Sequence, residues 1–320
     1  MVSFRGAVKV ILPVALLSAV VVPVGATAQA STCSVPSFGT LTRADLPAGT
    51  SVVDCQATGR VLRLGNAGVE IPAPGHGVGV AAVSTAGEEQ VFQVSVSDDG
   101  RISYPQSTEH NTGGVGVMAS PSACSDGAYS LTGTEWFGTK YQWYIGDGGM
   151  PGALSQSKAQ AAFADVINNI TGSYNDCGLT DQVSALSQYM GTTTYESDIS
   201  STTTCTARDG ESTWDAGNLS TGVLAATCWW YQPSGQATNL TVEADVRYNT
   251  TDYNFTDSPS TCSSQYDVRE VGTHEAGHVF GLGHVGSGHT NLTMYTSSGT
   301  CDTKERTLGK GDVLGLRALY

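Results

Sequence analysis

Basic residues are scarce in this chain: 15 Lys and Arg stand against 29 Asp and Glu in 320 residues, a formal net charge of −14. So acidic a surface repels phosphates and anionic lipid, which argues against nucleic acid or an anionic membrane as partner and favours solubility. After residue 30 no apolar run is long enough to span a bilayer. Histidine is rare, with 6 in the chain and none between His110 and His274. Cysteine is present, 8 in all, yet no two form a C-x-x-C pair, which excludes the common thiolate zinc modules and dithiol redox motifs.

Met1 to Ala30 reads as an export signal. Arg5 and Lys9 form a charged end, Val10 to Val24 is apolar and too short to span, and Ala26-Thr27-Ala28 or Ala28-Gln29-Ala30 offers a small-residue cleavage site. The expected product is secreted, a monomer with no membrane association after signal cleavage, and its formal charge becomes −16 once Arg5 and Lys9 are gone. An even number of cysteines in an exported chain argues for disulfides, for which eight cysteines allow about 105 connectivities. Proximity and modular layout favour Cys33–Cys55, Cys124–Cys177, Cys205–Cys228 and Cys262–Cys301.

Residues 31–106 read as a small β-rich module, a candidate propeptide or accessory unit. Val91 to Ser97 alternates, Asp98-Asp99-Gly100 is a turn signal and Arg101 to Tyr104 returns, which predicts a hairpin. A Gly/Ser/Pro-rich linker at 107–123 separates it from the second domain, 124–320. There Ala159, Phe163, Val166, Ile167 and Ile170 recur at helical spacing, with Ser155 placed to cap the helix and Gly172 to stop it. Asp147-Gly148-Gly149 and Asp209-Gly210 read as turns, and no specific calcium motif is present, so Ca2+ stays a bare possibility.

The chemistry concentrates in His274-Glu275-Ala276-Gly277-His278-Val279-Phe280-Gly281-Leu282-Gly283-His284. Two histidines four apart on a helix share one face, about 6 Å apart along the axis. Neutral imidazoles so placed suit zinc. Gly281 lets the backbone leave the helix with positive φ and bring His284 back as a third ligand. Three protein ligands leave a fourth position open, the pattern of a catalytic rather than a structural site. Glu275, beside the first ligand, is placed to take a proton from water as general base. Ten residues past His284, Met294 is placed in a tight turn to form an apolar floor beneath the metal.

His274 to His284 followed by Met294 resembles the metzincin clan of zinc endopeptidases, with its long zinc motif and Met-turn. The Val279 to His284 run and the closing Leu308 to Tyr320 segment are most similar to the matrixins. The likeness covers roughly Cys124 to Tyr320. It implies an α+β fold: a twisted mixed sheet with a backing helix and an active-site helix, here behind the N-terminal β module. It also implies a single catalytic Zn2+ held by His274, His278 and His284, with protein or peptide substrates. The histidine-bound structural zinc of matrixins is not expected, since no histidine lies ahead of the motif in this domain. Val285 after the third ligand counts against the astacin branch, and Tyr295, directly after Met294, is the candidate for an oxyanion or substrate contact. Cys33-Ser34-Val35-Pro36 faintly echoes a latency cysteine, a rival to ordinary pairing. Glu243 to Asn249 resembles the edge strand ahead of the catalytic helix. Six Asn-x-Ser/Thr matches, one against the Met-turn at Asn291, suit a bacterial host that leaves them unmodified. The expected function is a secreted zinc metalloendopeptidase; the alternative is a secreted binding protein on a protease fold without turnover, against which intact Glu275 argues.

Overall fold

The computed structural model describes residues 33, 35–86, 91–110 and 122–320. The export signal and most of the 107–123 linker lie outside the described residues. Residues Cys33–Tyr320 form one compact unit.

Strands β1 (Val61–Leu64) and β2 (Ala67–Glu70) make an antiparallel hairpin, followed by β3 (His76–Ser84), β4 (Val91–Val96) and β5 (Ile102–Ser103). Three short strands come next: β6 (Thr108–His110), β7 (Tyr129–Leu131) and β8 (Thr134–Glu135). Then β9 (Tyr141–Gly146) leads into helix α1 (Gln156–Thr171). Five strands follow: β10 (Ser187–Thr193), β11 (Thr204–Cys205), β12 (Ser212–Gly217), β13 (Val223–Gln232) and β14 (Asn239–Asn249). The chain closes with β15 (Phe255–Thr256), β16 (Tyr266–Asp267), α2 (Val268–Val279), β17 (Leu282–Gly283) and α3 (Lys310–Leu319).

Among the described residues the main sheet has nine strands in the order β10-β9-β12-β14-β13-β3-β4-β5, with β8 paired to β14. From β10 to β14 the pairs are parallel; from β14 to β5 they are antiparallel. The fold is thus α+β around a mixed sheet. One face packs on α1, α2 and α3 through a core that includes Phe163, Val166, Trp214, Trp229, Val271 and Phe280. The other face is covered by the β1–β2 hairpin and its flanking loops, through Leu41, Leu62, Val80, Phe92 and Trp230.

The sheet runs across the boundary drawn at 107–123. β13 is hydrogen-bonded to β14 on one side and to β3, from the expected N-terminal module, on the other. Both parts also share the second core, in which Val78, Val80 and Ala82 meet Ala226, Cys228 and Trp230. The edge-strand role expected of Glu243–Asn249 is corrected too, because β14 is interior, between β12 and β13. The reason is visible in β13, whose Val-Leu-Ala-Ala-Thr-Cys-Trp-Trp-Tyr is buried on both faces and hides the alternation an edge shows.

Helix α1 begins and ends where its apolar spacing predicts, between Ser155 and Gly172, and the 91–103 hairpin forms as β4 and β5. The four favoured disulfides all form, with no free cysteine. Cys33 is bonded to Cys55, so no thiol is available there to cap a metal. No helix among the described residues is long and apolar enough to cross a membrane.

Helix α2 is pinned at its start by Asp267. Its buried carboxylate accepts from Arg269 N (3.1 Å) and Glu270 N (2.9 Å), satisfying two amides that a helix N-terminus leaves open. The same carboxylate receives Arg306 as a two-pronged pair at 2.7 and 2.5 Å. Arg269 ties the first turn to Asp257 and, across the helix layer, to Asp165 on α1. Asp267→Ala removes the cap and leaves Arg306 without its partner, a loss of about 2–4 kcal/mol. Thermal unfolding is expected to fall by about 5–10 °C, with Asp267→Asn, which keeps an acceptor, falling less; equal stability for all three proteins contradicts this account of how α2 is anchored.

Candidate metal centre

Helix α2 carries His274, Glu275 and His278 in its last two turns, and all three are fully buried. The helix stops at Phe280, and Gly281 follows with φ +89°. A Cβ at Gly281 would collide with the Thr134 carbonyl, so both the left-handed turn and the close approach demand glycine. That turn delivers His284, 2 % exposed, back toward α2.

The three imidazoles meet through their Nε2 atoms. His274 and His284 are 3.0 Å apart, His278 and His284 3.0 Å, and His274 and His278 3.1 Å. The tautomers follow from the other ring nitrogens. His274 Nδ1 donates to the Thr293 carbonyl (2.7 Å) and His278 Nδ1 to the Leu282 carbonyl (2.8 Å). A carbonyl only accepts, so in these two rings the proton sits on Nδ1 and the lone pair on Nε2. His284 Nδ1 is buried without a protein partner among the described residues. Burial brings His274 down to about 4 despite the Thr293 carbonyl. It also drives His278 and His284 well down, with the neighbouring histidines adding to the effect. All three are therefore neutral at pH 7, as metal ligands must be.

Converging lone pairs repel unless a cation sits between them. A tetrahedral zinc with nitrogen ligands at about 2.0–2.1 Å holds them about 3.3–3.4 Å apart. The observed triangle, with sides of 3.0–3.1 Å, is within a few tenths of that, and the donor set fits zinc.

Glu275 directly follows the first of these histidines, which turns it about 100° around α2 from that ring. Its Oε2 accepts from the Thr227 hydroxyl on β13 (2.5 Å) and its Oε1 from Val83 N on β3 (3.4 Å). Burial pushes its carboxyl up to about 8, with the Thr227 and Val83 donors pulling the other way. Met294 lies beneath the helix, its sulfur against Gly277, where a Cβ would occupy the same space. Asp312 on α3 holds this turn by accepting from Thr293 N (3.0 Å), Met294 N (3.3 Å) and Gly309 N (2.8 Å). The Thr293 carbonyl that orients His274 is thereby fixed from behind.

His274, Glu275, His278, His284 and Met294 thus come together. Tyr295 packs on the Ala128, Val285 and Leu292 cluster and bridges Val285, the residue after His284. His289 pairs with the buried Asp126 at 2.8 Å. Thr227, Val83 and Asp312 escape sequence reasoning because each acts through a contact distant in the chain, and none has a motif spacing. A second set of carboxylates, Asp198, Glu243 and Asp245, also converges. Their charge is met by protein donors: Asp198 N and Thr213 N on Asp245, Arg208 on Glu243 and Asp209 N on Asp198.

Residues 184–320 match the family model described as Matrixin. The matched part spans β10 to the last residue and includes α2, His284, Met294 and Asp312. The match supports a metzincin-clan, matrixin-like protease domain over this part of the chain, and with it a zinc metalloprotease family. No curated protein matches the chain.

His284 is the one histidine of the three held by neither a helix nor a second hydrogen bond. His284→Ala removes a third of the donor set and is expected to weaken zinc binding by about 100-fold or more. Metal analysis after dialysis against a weak chelator checks this, and unchanged zinc content in the variant contradicts a three-histidine centre.

Proposed function

We propose that the chain is a secreted, zinc-dependent endopeptidase that acts as a monomer on protein or peptide substrates, with Glu275 as its general base. The observation that carries the reading is the meeting of three lone-pair nitrogens beside a buried carboxylate that takes no part in their triangle. His274, His278 and His284 would hold the zinc. When bound, the ion supplies a Lewis acid that acidifies water to a pKa of about 7 and polarises a carbonyl oxygen.

The rest is work for this chain's own groups. Glu275 receives the proton of the attacking water at its carboxylate and delivers it to the leaving amine nitrogen, so the peptide C–N bond breaks as the C–O bond forms. Thr227 orients that carboxylate through a 2.5 Å hydrogen bond. The Thr293 and Leu282 carbonyls keep the His274 and His278 rings turned inward. Met294, with Asp312 behind it, supports the floor. The disulfides suit an oxidising, extracellular compartment.

Glu275→Gln preserves shape and removes basicity. Zinc content and the melting profile are expected to stay unchanged, while casein hydrolysis by the zinc-loaded protein, measured before and after limited N-terminal trimming, falls by about 10²-fold or more. Equal hydrolysis by parent and variant removes Glu275 from the role of base. A parent that cleaves nothing in either state leaves a non-catalytic binding protein as the better reading.

A further inference from the structure

Most buried carboxylates in this fold are met by donors. Asp245 accepts from Asp198 N and Thr213 N, Glu243 from Arg208, Asp267 from Arg306, and Asp312 from three backbone amides. Glu270 and Glu305 differ. Both are 0 % exposed, yet none of their carboxylate oxygens has a hydrogen-bond partner among the described residues. Glu270 lies in the first turn of α2, four residues ahead of His274. A glutamate three residues past the cap commonly bonds back to the capping residue's amide, and this one does not. Glu305 sits in the turn Lys304–Arg306, which packs against α2.

The two carboxyls feel each other. Burial drives Glu305 well above the usual carboxylate range, and the charge of Glu270 adds to the rise. Burial likewise pushes Glu270 up to about 8, with Asp302 and Asp267 adding to it and Lys304 and the Ser298 hydroxyl opposing. Ser298 is itself buried, 5 % exposed, and its Oγ has no hydrogen-bond partner among the described residues. Lys304 is the nearby cation, but its Nζ lies 3.0 Å from Asp302 and 3.7 Å from Glu305, too far from the latter for a hydrogen bond. The surroundings are held in place on both sides. Arg306, the next residue, is paired to Asp267, and the Cys262–Cys301 disulfide anchors the segment ahead of Asp302.

We propose that Glu270, Glu305 and Ser298 form a seat for one divalent cation of the calcium type, which fastens the first turn of α2 to the segment following Met294. Protonation would remove the charge of the two glutamates but leave most of these oxygens still without partners, whereas a cation answers both needs. Two carboxylates able to bind through both oxygens, together with a hydroxyl, are hard oxygen donors of the kind calcium takes in flexible geometry. The histidine triangle offers nitrogens instead, so the two centres select different ions. The seat does not depend on the endopeptidase reading. It also carries no loop motif, since its ligands come from a helix and from a distant turn.

The test titrates calcium chloride into the zinc-loaded full chain by calorimetry and follows thermal unfolding in parallel. One calcium is expected to bind with a Kd of about 1 mM or tighter. The melting temperature should rise by about 3–5 °C at a tenfold excess over Kd. Glu270→Gln and Glu305→Gln should each abolish this response. Each should also melt no lower than the calcium-free parent, because one of two like charges is gone; a merely structural glutamate would give a loss instead. Should neither variant fold, Lys304→Met decides. It removes a half-exposed competing cation and should tighten calcium binding by about threefold or more. A parent that binds no calcium overturns the proposal, as does a calcium response that survives both glutamine variants or an affinity that Lys304→Met leaves unchanged.

Discussion

Three imidazole nitrogens within 3.1 Å of one another, at least two bearing lone pairs turned inward, are the constraint on which the rest of the catalytic layer depends. Such an arrangement is electrostatically unfavourable in a dry interior unless a cation joins it. Everything around it resists its relaxing. Asp267 and Arg306 fix where α2 starts, the glycine turn at 281 fixes where it ends, and the carbonyls of Thr293 and Leu282 lock two rings. Asp312 then fixes Thr293 through its backbone. The histidine triangle is the end of a chain of hydrogen bonds that begins on α3.

Glu275 lies outside that triangle and depends on the sheet instead. Its partners are Thr227 on β13 and Val83 on β3, so the carboxylate links the helix layer to two neighbouring strands of the main sheet. The metal centre and β3 are therefore not independent features.

How much of this was legible depends on whether the signal is local. The spacing of His274, His278, Gly281 and His284 is local, and so is the apolar repeat from Ala159 to Ile170; the corresponding turn and helix form where expected. The disulfides pair cysteines 22 to 53 residues apart, near enough for order along the chain to suggest partners. Strand pairing is different. Ala81 and Thr227 meet across a long stretch of chain, and β13 carries apolar residues on both faces, so nothing in its own pattern distinguishes an interior strand from an edge. That is why Glu243–Asn249 reads as the edge and why residues 31–106 read as a separate module. The glycines of β3 carry no local signal of their purpose, because the Tyr231 and Trp229 rings they meet lie far away in sequence.

The central claim is that this chain binds zinc through three histidines and through no cysteine. X-ray absorption at the zinc edge on the intact, zinc-loaded chain tests it most directly. The account predicts a first shell of nitrogen and oxygen at about 2.0–2.1 Å with the multiple-scattering signature of three imidazoles. Sulfur at about 2.3 Å, or a shell with fewer than three imidazoles, would contradict it.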